Sequence, residues 1–194
     1  MTAASTPKGE RRRQALVEAA AQLLAEGGFE AIRHRAVAER AALPLASTTY
    51  YFNSLDELIS AAVEHAAQAE LEAGRRRLAE LTEEHHNADS MIELMLDLLL
   101  GTRSRDGGLD QVLLRYERLV GSPRRPYLAP LMRELSARLH DLLTEILAHF
   151  GVDIGRQHLL ELIMLVDGAV VNALIESDPD PRATARRVLH SRLG

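Results

Sequence analysis

Phe29–Leu58, FEAIRHRAVAERAALPLASTTYYFNSLDEL, decides the fold of this 194-residue chain. The stretch reads as two very short helices held between two long ones. In the first, at about His34–Ala41, Val37 and Ala38 are the inward positions. Pro44 suits the first turn of the second, because its φ is already helical and its missing N–H is not needed there. That second helix, running to about Tyr51, carries Ser47, Thr48, Thr49 and Tyr50 where a buried helix would carry leucine. Small hydroxyl side chains with Arg33 and Arg35 just upstream suit contact with nucleic acid.

Working outward, residues 1–9 are expected to be disordered. From about Glu10, Leu16, Ala19, Ala20, Leu23 and Leu24 recur at helical spacing, and Gly27-Gly28 supplies a residue free to take positive φ at the helix end. Downstream, Asp56 and Glu57 open a long helix with charges that favour its N-terminal dipole, running to about Glu84. Met91–Leu100 is apolar nearly all round, with Glu93 and Asp97 as its polar stripe, and is expected to be central. A loop at Gly101–Gly108, a helix at Leu109–Val120, the break SPRRP and a helix at about Leu128–Phe150 follow. The last of these keeps Leu131, Leu135, Leu139, Leu142 and Ile146 on one face. His158–Glu176 is apolar on most sides, and a short helix at about Arg182–Arg192 ends the chain. No strand pattern or internal repeat is visible, and the fold class is all-α with about nine helices.

Composition agrees. Apolar residues make up 46% and aromatics only 4%, with Leu and Ala dominant. There is no cysteine, which excludes disulfides, thiol catalysis and Cys-ligated zinc. The net charge of −5 is unevenly spread: residues 1–55 carry +2 and residues 56–194 carry −7. A mildly basic head on an acidic body fits a protein that touches phosphates at one end. The N-terminus MTAASTPKGERRR has no apolar core, and the longest apolar segment, Leu159–Ile175, is interrupted by Glu161, Asp167 and Asn172. The expectation is a cytoplasmic protein with no membrane partner and no cofactor.

A helix-turn-helix needs a first helix across the DNA backbone and a second whose N-terminal half enters the major groove. The segment at about residues 33–52 has those dimensions, with a tight turn at Ala41–Leu43. Arg35 starts the first helix within reach of a base edge or phosphate. Ala46 allows close backbone approach, and Ser47 and Thr48 suit base edges or thymine methyls. Thr49, Tyr50 and Tyr51 offer hydroxyls to phosphate oxygens, and Arg33, His34 and Leu45 complete the candidate contact set.

The run GGFEAIRHRAVAERAALPLASTTYYFNSLDEL resembles the DNA-binding domain of the TetR family of bacterial transcriptional regulators. The shared features are a Gly-Phe turn, Ala-Glu-Arg-Ala closing a helix, a Ser/Thr-rich recognition helix, Tyr-Tyr-Phe, and Glu-Leu opening a long helix. The resemblance covers about residues 10–62, and VDGAVVNALIESDPDPRA is similar to the penultimate-helix region of many members. Three positions depart from it: Ala42 stands where glycine is usual, Arg33 where threonine caps the second helix, and Leu55 where a lysine often begins the fourth. The resemblance implies a helix-turn-helix DNA-binding domain at residues 10–55, joined by a long helix to a ligand-binding and dimerisation domain at residues 56–194. It further implies a homodimer on a pseudo-palindromic double-stranded DNA operator, with a small-molecule effector that moves the long helix and releases DNA.

Leu159, Ile163, Val166, Gly168, Ala169, Val170, Asn172 and Ala173 form an apolar and small-residue surface suited to dimerisation. Met95, Asp97, Leu99, Arg115, Leu139 and Asp167 are candidates for an effector pocket, as is His140, though satisfied buried polar groups read equally well. The leucine-rich, aromatic-poor composition favours an apolar or amphipathic effector. Arg11–Arg13 reads either as an arm toward phosphate or as a solvated helix start. Glu83-Glu84-His85-His86 reads as a solvated helix end, since adjacent histidines point to different faces. No glycine-rich phosphate loop, HExxH or nucleophile elbow is present, so no enzyme is expected. The rival reading is an architectural or adaptor DNA-binding protein of the same fold that takes a protein partner and no small molecule.

Overall fold

The structure, a computed structural model, describes residues 6–82, 86–106 and 108–193. Among these residues there are nine α-helices and no strand, as the hydrophobic periodicity requires. The chain divides into two compact units: Met1–Ala69 with Glu117–Met132, and Glu70–Tyr116 with Arg133–Gly194. The expected domain boundary at residues 55/56 coincides with the start of the fourth helix, but the first compact unit continues through Ala69.

In the first unit, α1 spans Pro7–Ala31. It opens three residues before the expected start at Glu10, because Thr6 caps it by accepting a hydrogen bond from the Gly9 N–H at 3.0 Å and Pro7 occupies the first turn. Residues 7–9 are therefore helical where disorder was expected. Gly27 and Gly28 interrupt the helix as the sequence predicts, with Gly28 at φ 66° and ψ −162°, a region essentially restricted to glycine. The short helices α2 (His34–Arg40) and α3 (Ala46–Tyr51) follow, and then α4 (Leu55–Ala79). Ser54 and Glu57 form a capping arrangement: the Ser54 hydroxyl accepts from the Glu57 N–H, and the Glu57 carboxylate accepts from the Asn53 N–H. Leu16, Ala20, Leu24, Ile32, Val37, Phe52, Leu58 and Leu128 make the core of this unit.

The second unit is built around α5 (Ala88–Leu100), whose residues from Met91 to Leu100 are all buried except Glu93. Asn87 caps it by accepting from the Ser90 N–H, and Gly101 ends it at φ 82°. α4 stops at Ala79, short of the expected Glu84. Glu83, Glu84 and His85 lie outside the described residues, while the His86 ring stacks on Phe150 with centroids 4.9 Å apart. The expected loop at Gly101–Gly108 holds a single 3-10 turn, Thr102–Arg105. α6 (Gly108–Gly121), two proline-containing 3-10 turns and α7 (Ala129–His149) complete the middle of the chain, followed by α8 (Arg156–Ile175) and α9 (Pro181–Leu193). Leu71, Met95, Leu99, Val112, Leu142, Ile146, Val166 and Leu189 share one core.

α8 presents two apolar faces. Leu159, Leu162, Val166, Val170 and Ala173 are buried within the unit. The opposite stripe, Met164, Leu165, Gly168, Val171, Asn172 and Ile175, is exposed, with Met164 at 62% and Ile175 at 74%. The expected dimerisation set divides between these faces. Leu159, Val166, Val170 and Ala173 are spent on the core of their own chain, Ile163 and Ala169 are half-buried, and only Gly168 and Asn172 of that set lie on the open stripe. The helical repeat keeps positions three or four residues apart on one face and sends positions two apart to different faces, and the continuous apolar run concealed which face was outward. Among the described residues, α8 is the one helix long and apolar enough to cross a membrane.

Candidate nucleic-acid interface

The two short helices owe their geometry to a five-residue connection. The Leu43 N–H donates to the Ala38 carbonyl and the Ala42 N–H to the Glu39 carbonyl, folding the chain back sharply after α2. Ala42 takes φ 51°, the left-handed conformation in which glycine is favoured. After Pro44, the Ser47 N–H donates to the Pro44 carbonyl and the Thr48 N–H to the Leu45 carbonyl, so the first turn of α3 is made before Ala46. Arg33 precedes α2 without giving it a side-chain cap; instead its Nε donates to the Glu30 carbonyl.

Leu45, Ala46, Thr49 and Tyr50 are exposed and share one side of α3, with Tyr50 at 60% exposure. Ser47 and Tyr51 are half-buried beside them. Thr48 is the exception among the expected contacts: it is fully buried, and its hydroxyl donates back to the Leu45 carbonyl at 2.8 Å. Its position one turn before Phe52, on the inward face, explains why a hydroxyl residue is spent there as a self-satisfied core member. Tyr50 and Tyr51 meet edge to face with centroids 4.9 Å apart, which fixes the Tyr50 ring at the edge of the exposed face.

Charge around this face is partly committed. Arg35 pairs with Glu39 and Arg40 with Glu26, while His34 keeps a buried Nδ1 without a partner. Two further cations come from the start of α1. Lys8 and Arg12 line a cleft shared with Ala46, Ser47, Tyr50 and Tyr51, so the helix start and the recognition face form one surface. Arg13 instead lies over the Phe52 ring, 5.0 Å from its centroid. Lys8 lay inside the segment expected to be disordered, and the Thr-Pro cap at Thr6-Pro7 was the signal that an ordered helix would present it.

Comparison with known proteins bears on this arrangement. Residues 16–62 match the model of "Bacterial regulatory proteins, tetR family", and residues 86–194, more than half the chain, match that of "Tetracyclin repressor-like, C-terminal domain". The chain belongs to the TetR family. It is therefore a DNA-binding transcriptional regulator, and its N-terminal unit carries the family's helix-turn-helix. Among solved structures, the multidrug binding protein EbrR complexed with malachite green is 31% identical, with 93% of this chain and 96% of that one covered at a TM-score of 0.60. The same protein complexed with proflavin is 29% identical over 93% and 98%, at a TM-score of 0.64. A TetR transcription regulator from Haloarcula marismortui shares the fold at 19% identity, covering 94% and 96% with a TM-score of 0.70. No curated protein sequence matches the chain.

In this TetR-family chain the residues put forward for an effector pocket are held by their own unit. Met95 and Leu99 are core side chains, and Leu139 packs half-buried against the same core. Arg115 spans Glu70, at 2.9 Å, and the carbonyls of Leu98 and Leu99. Asp167 accepts from the Tyr116 hydroxyl at 2.7 Å, and burial first, then Asp167, drives that phenol far above its ordinary range. Asp97 is the centre of an ionic cluster. Its carboxylate, 3% exposed, accepts two hydrogen bonds from Arg105 at 2.8 and 2.9 Å and one from Arg182 at 2.9 Å, and also pairs with Arg77. Glu93, one turn earlier, pairs with Arg105, Arg182 and Arg186. Asp97 and Arg115 are thus structural ties, the satisfied polar groups that the apolar surroundings allowed for.

Proposed function

We propose that the protein is a ligand-responsive repressor that binds a pseudo-palindromic operator as a homodimer. The observation that carries the reading is the surface on which Tyr50, Thr49, Ala46 and Leu45 stand exposed beside Lys8 and Arg12. Small side chains at the front of α3 admit the helix to a major groove, and the flanking cations and hydroxyls suit the phosphates on either side. Ser47 and Tyr51 line the same surface, Arg33 and Arg35 at the start of α2 add cations upstream of it, and buried Thr48 bonds back to the Leu45 carbonyl.

Dimerisation is supported by the α8 stripe, since exposed apolar rows of this kind mark interaction surfaces. Gly168 leaves open space at its centre, with no atom within 4 Å of a side chain built there, which lets a second backbone approach closely. Responsiveness to a small molecule is supported by the relatives whose structures were determined with proflavin and malachite green. An effector of the second unit would act by binding one conformation better than another, shifting the spacing of two recognition helices.

The test is a mobility-shift assay on the chain's own upstream region. Wild type binds, and Tyr50→Ala and Arg12→Ala each weaken binding about tenfold or more; unchanged binding in both variants refutes the assignment of this face. Affinity falls steeply with salt, with a log–log slope of about −0.9 per phosphate neutralised.

A further inference from the structure

The first unit contains a cleft of about 670 Å³ that is separate from the α3 surface. Its walls are the glycine break in α1, the first turns of α4, the last turn of α6 and the 3-10 turns that follow. Such a volume lies in the range that holds drug-sized ligands. Phe29, Ile32 and Ile59 supply apolar lining, and Gly121 keeps one side open, with the Phe29 ring 3.7 Å from where its side chain would begin.

The charged groups on the rim sort into engaged and unengaged sets. Arg125 stacks over Phe29 at 4.1 Å and pairs with Glu30 at 3.0 Å, Asp56 is held by the Tyr127 hydroxyl, and Arg118 is likewise engaged. Arg124 has no hydrogen bond or ion pair to any described residue, and Arg33 commits only its Nε. Against these two guanidiniums, Glu117 is the single rim carboxylate with no partner among the described residues. The balance leaves one positive charge beside an apolar floor.

We infer that this cleft is a small-molecule site for a monoanionic amphiphile, a carboxylate or sulfonate on a compact apolar body, and that its occupancy weakens operator binding. The anion takes the terminal amino groups of Arg33 and Arg124 in bidentate hydrogen bonds, and the apolar body lies toward Phe29, Ile32 and Ile59. Arg33 immediately precedes α2, so an anion that holds it withdraws a cation from the DNA-facing side. That coupling rests on the DNA-contact reading of α2 and α3 given above; the binding site itself does not.

Calorimetric titration of the full chain with naphthoate and with naphthylmethylammonium, which share one apolar body and differ in charge, tests the site. Naphthoate is expected to bind once per chain. Arg124→Glu, at an exposed side chain that supports nothing else, lowers that affinity about tenfold or more, and Gly121→Leu abolishes it by filling the cleft. Naphthoate also raises the half-saturation point for operator about threefold or more in wild type but not in Arg124→Glu. Absence of naphthoate binding, binding indifferent to both substitutions, or preference for the cation each overturns the inference. A chain that binds naphthoate in an Arg124-dependent way but never binds operator refutes the DNA-contact reading and leaves the site standing.

Discussion

Ala42 occupies φ 51° at the bend between α2 and α3, where its Cβ costs roughly 1 kcal/mol against the following carbonyl. Ala42→Gly relieves that strain and, after the added flexibility of the unfolded chain is set against it, should be neutral to about 0.5 kcal/mol stabilising, read as a rise of up to about 2 °C in melting temperature. A fall would mean that the bend is not strained. His140, on α7, makes stability depend on pH. Burial first, and then nearby Arg156, hold its imidazole below the ordinary value of 6.5, with Asp141 opposing, and its Nδ1 is buried without a partner. The unfolded chain therefore takes up the proton first as pH falls. Stability is full above about pH 6.5 and drops as pH passes below it. Thermal melts at about pH 7.5 and 5.5 should show this drop, and His140→Gln should reduce it.

At the scale of elements, the Asp97 cluster ties α4, α5, the 3-10 turn at Thr102–Arg105 and α9 to one buried carboxylate. Asp97→Ala removes one of the two carboxylates that pair with Arg182, itself 4% exposed, leaves Glu93 as its partner, and should cost about 2–3 kcal/mol in denaturant unfolding. A cost below about 1 kcal/mol would show the cluster to be solvated. Asp97 was visible in the sequence as a charge in an apolar helix, but its partners were not, because Arg77, Arg105 and Arg182 are brought to it by tertiary packing and not by any local spacing. The helices themselves were legible wherever period and cap coincided, as at Gly27-Gly28 and through α5. Their ends were less so: α1 gained a turn from Thr6 and Pro7, and α4 lost one after Ala79. The helix-turn-helix is legible in the sequence as a segment. Within it the structure buries Thr48 and exposes Thr49, a distinction that composition does not carry because in a six-residue helix one position decides between core and surface.

For the whole molecule, the proposed dimer rests on the open face of α8. Gly168→Arg places a charge at the centre of the stripe without touching the core of its own chain, since nothing lies within 4 Å of the new Cβ. Light scattering should then report a monomer at micromolar concentration, with circular dichroism unchanged; a persistent dimer would move the interface elsewhere. If α8 is covered only by a second copy, operator occupancy follows the square of chain concentration whenever that concentration lies below the dimer's dissociation constant. A bare row of Met164, Leu165, Val171 and Ile175 would then make gene dosage an input in its own right: halving the number of chains in a cell would cut the assembled regulator fourfold, before any effector arrives.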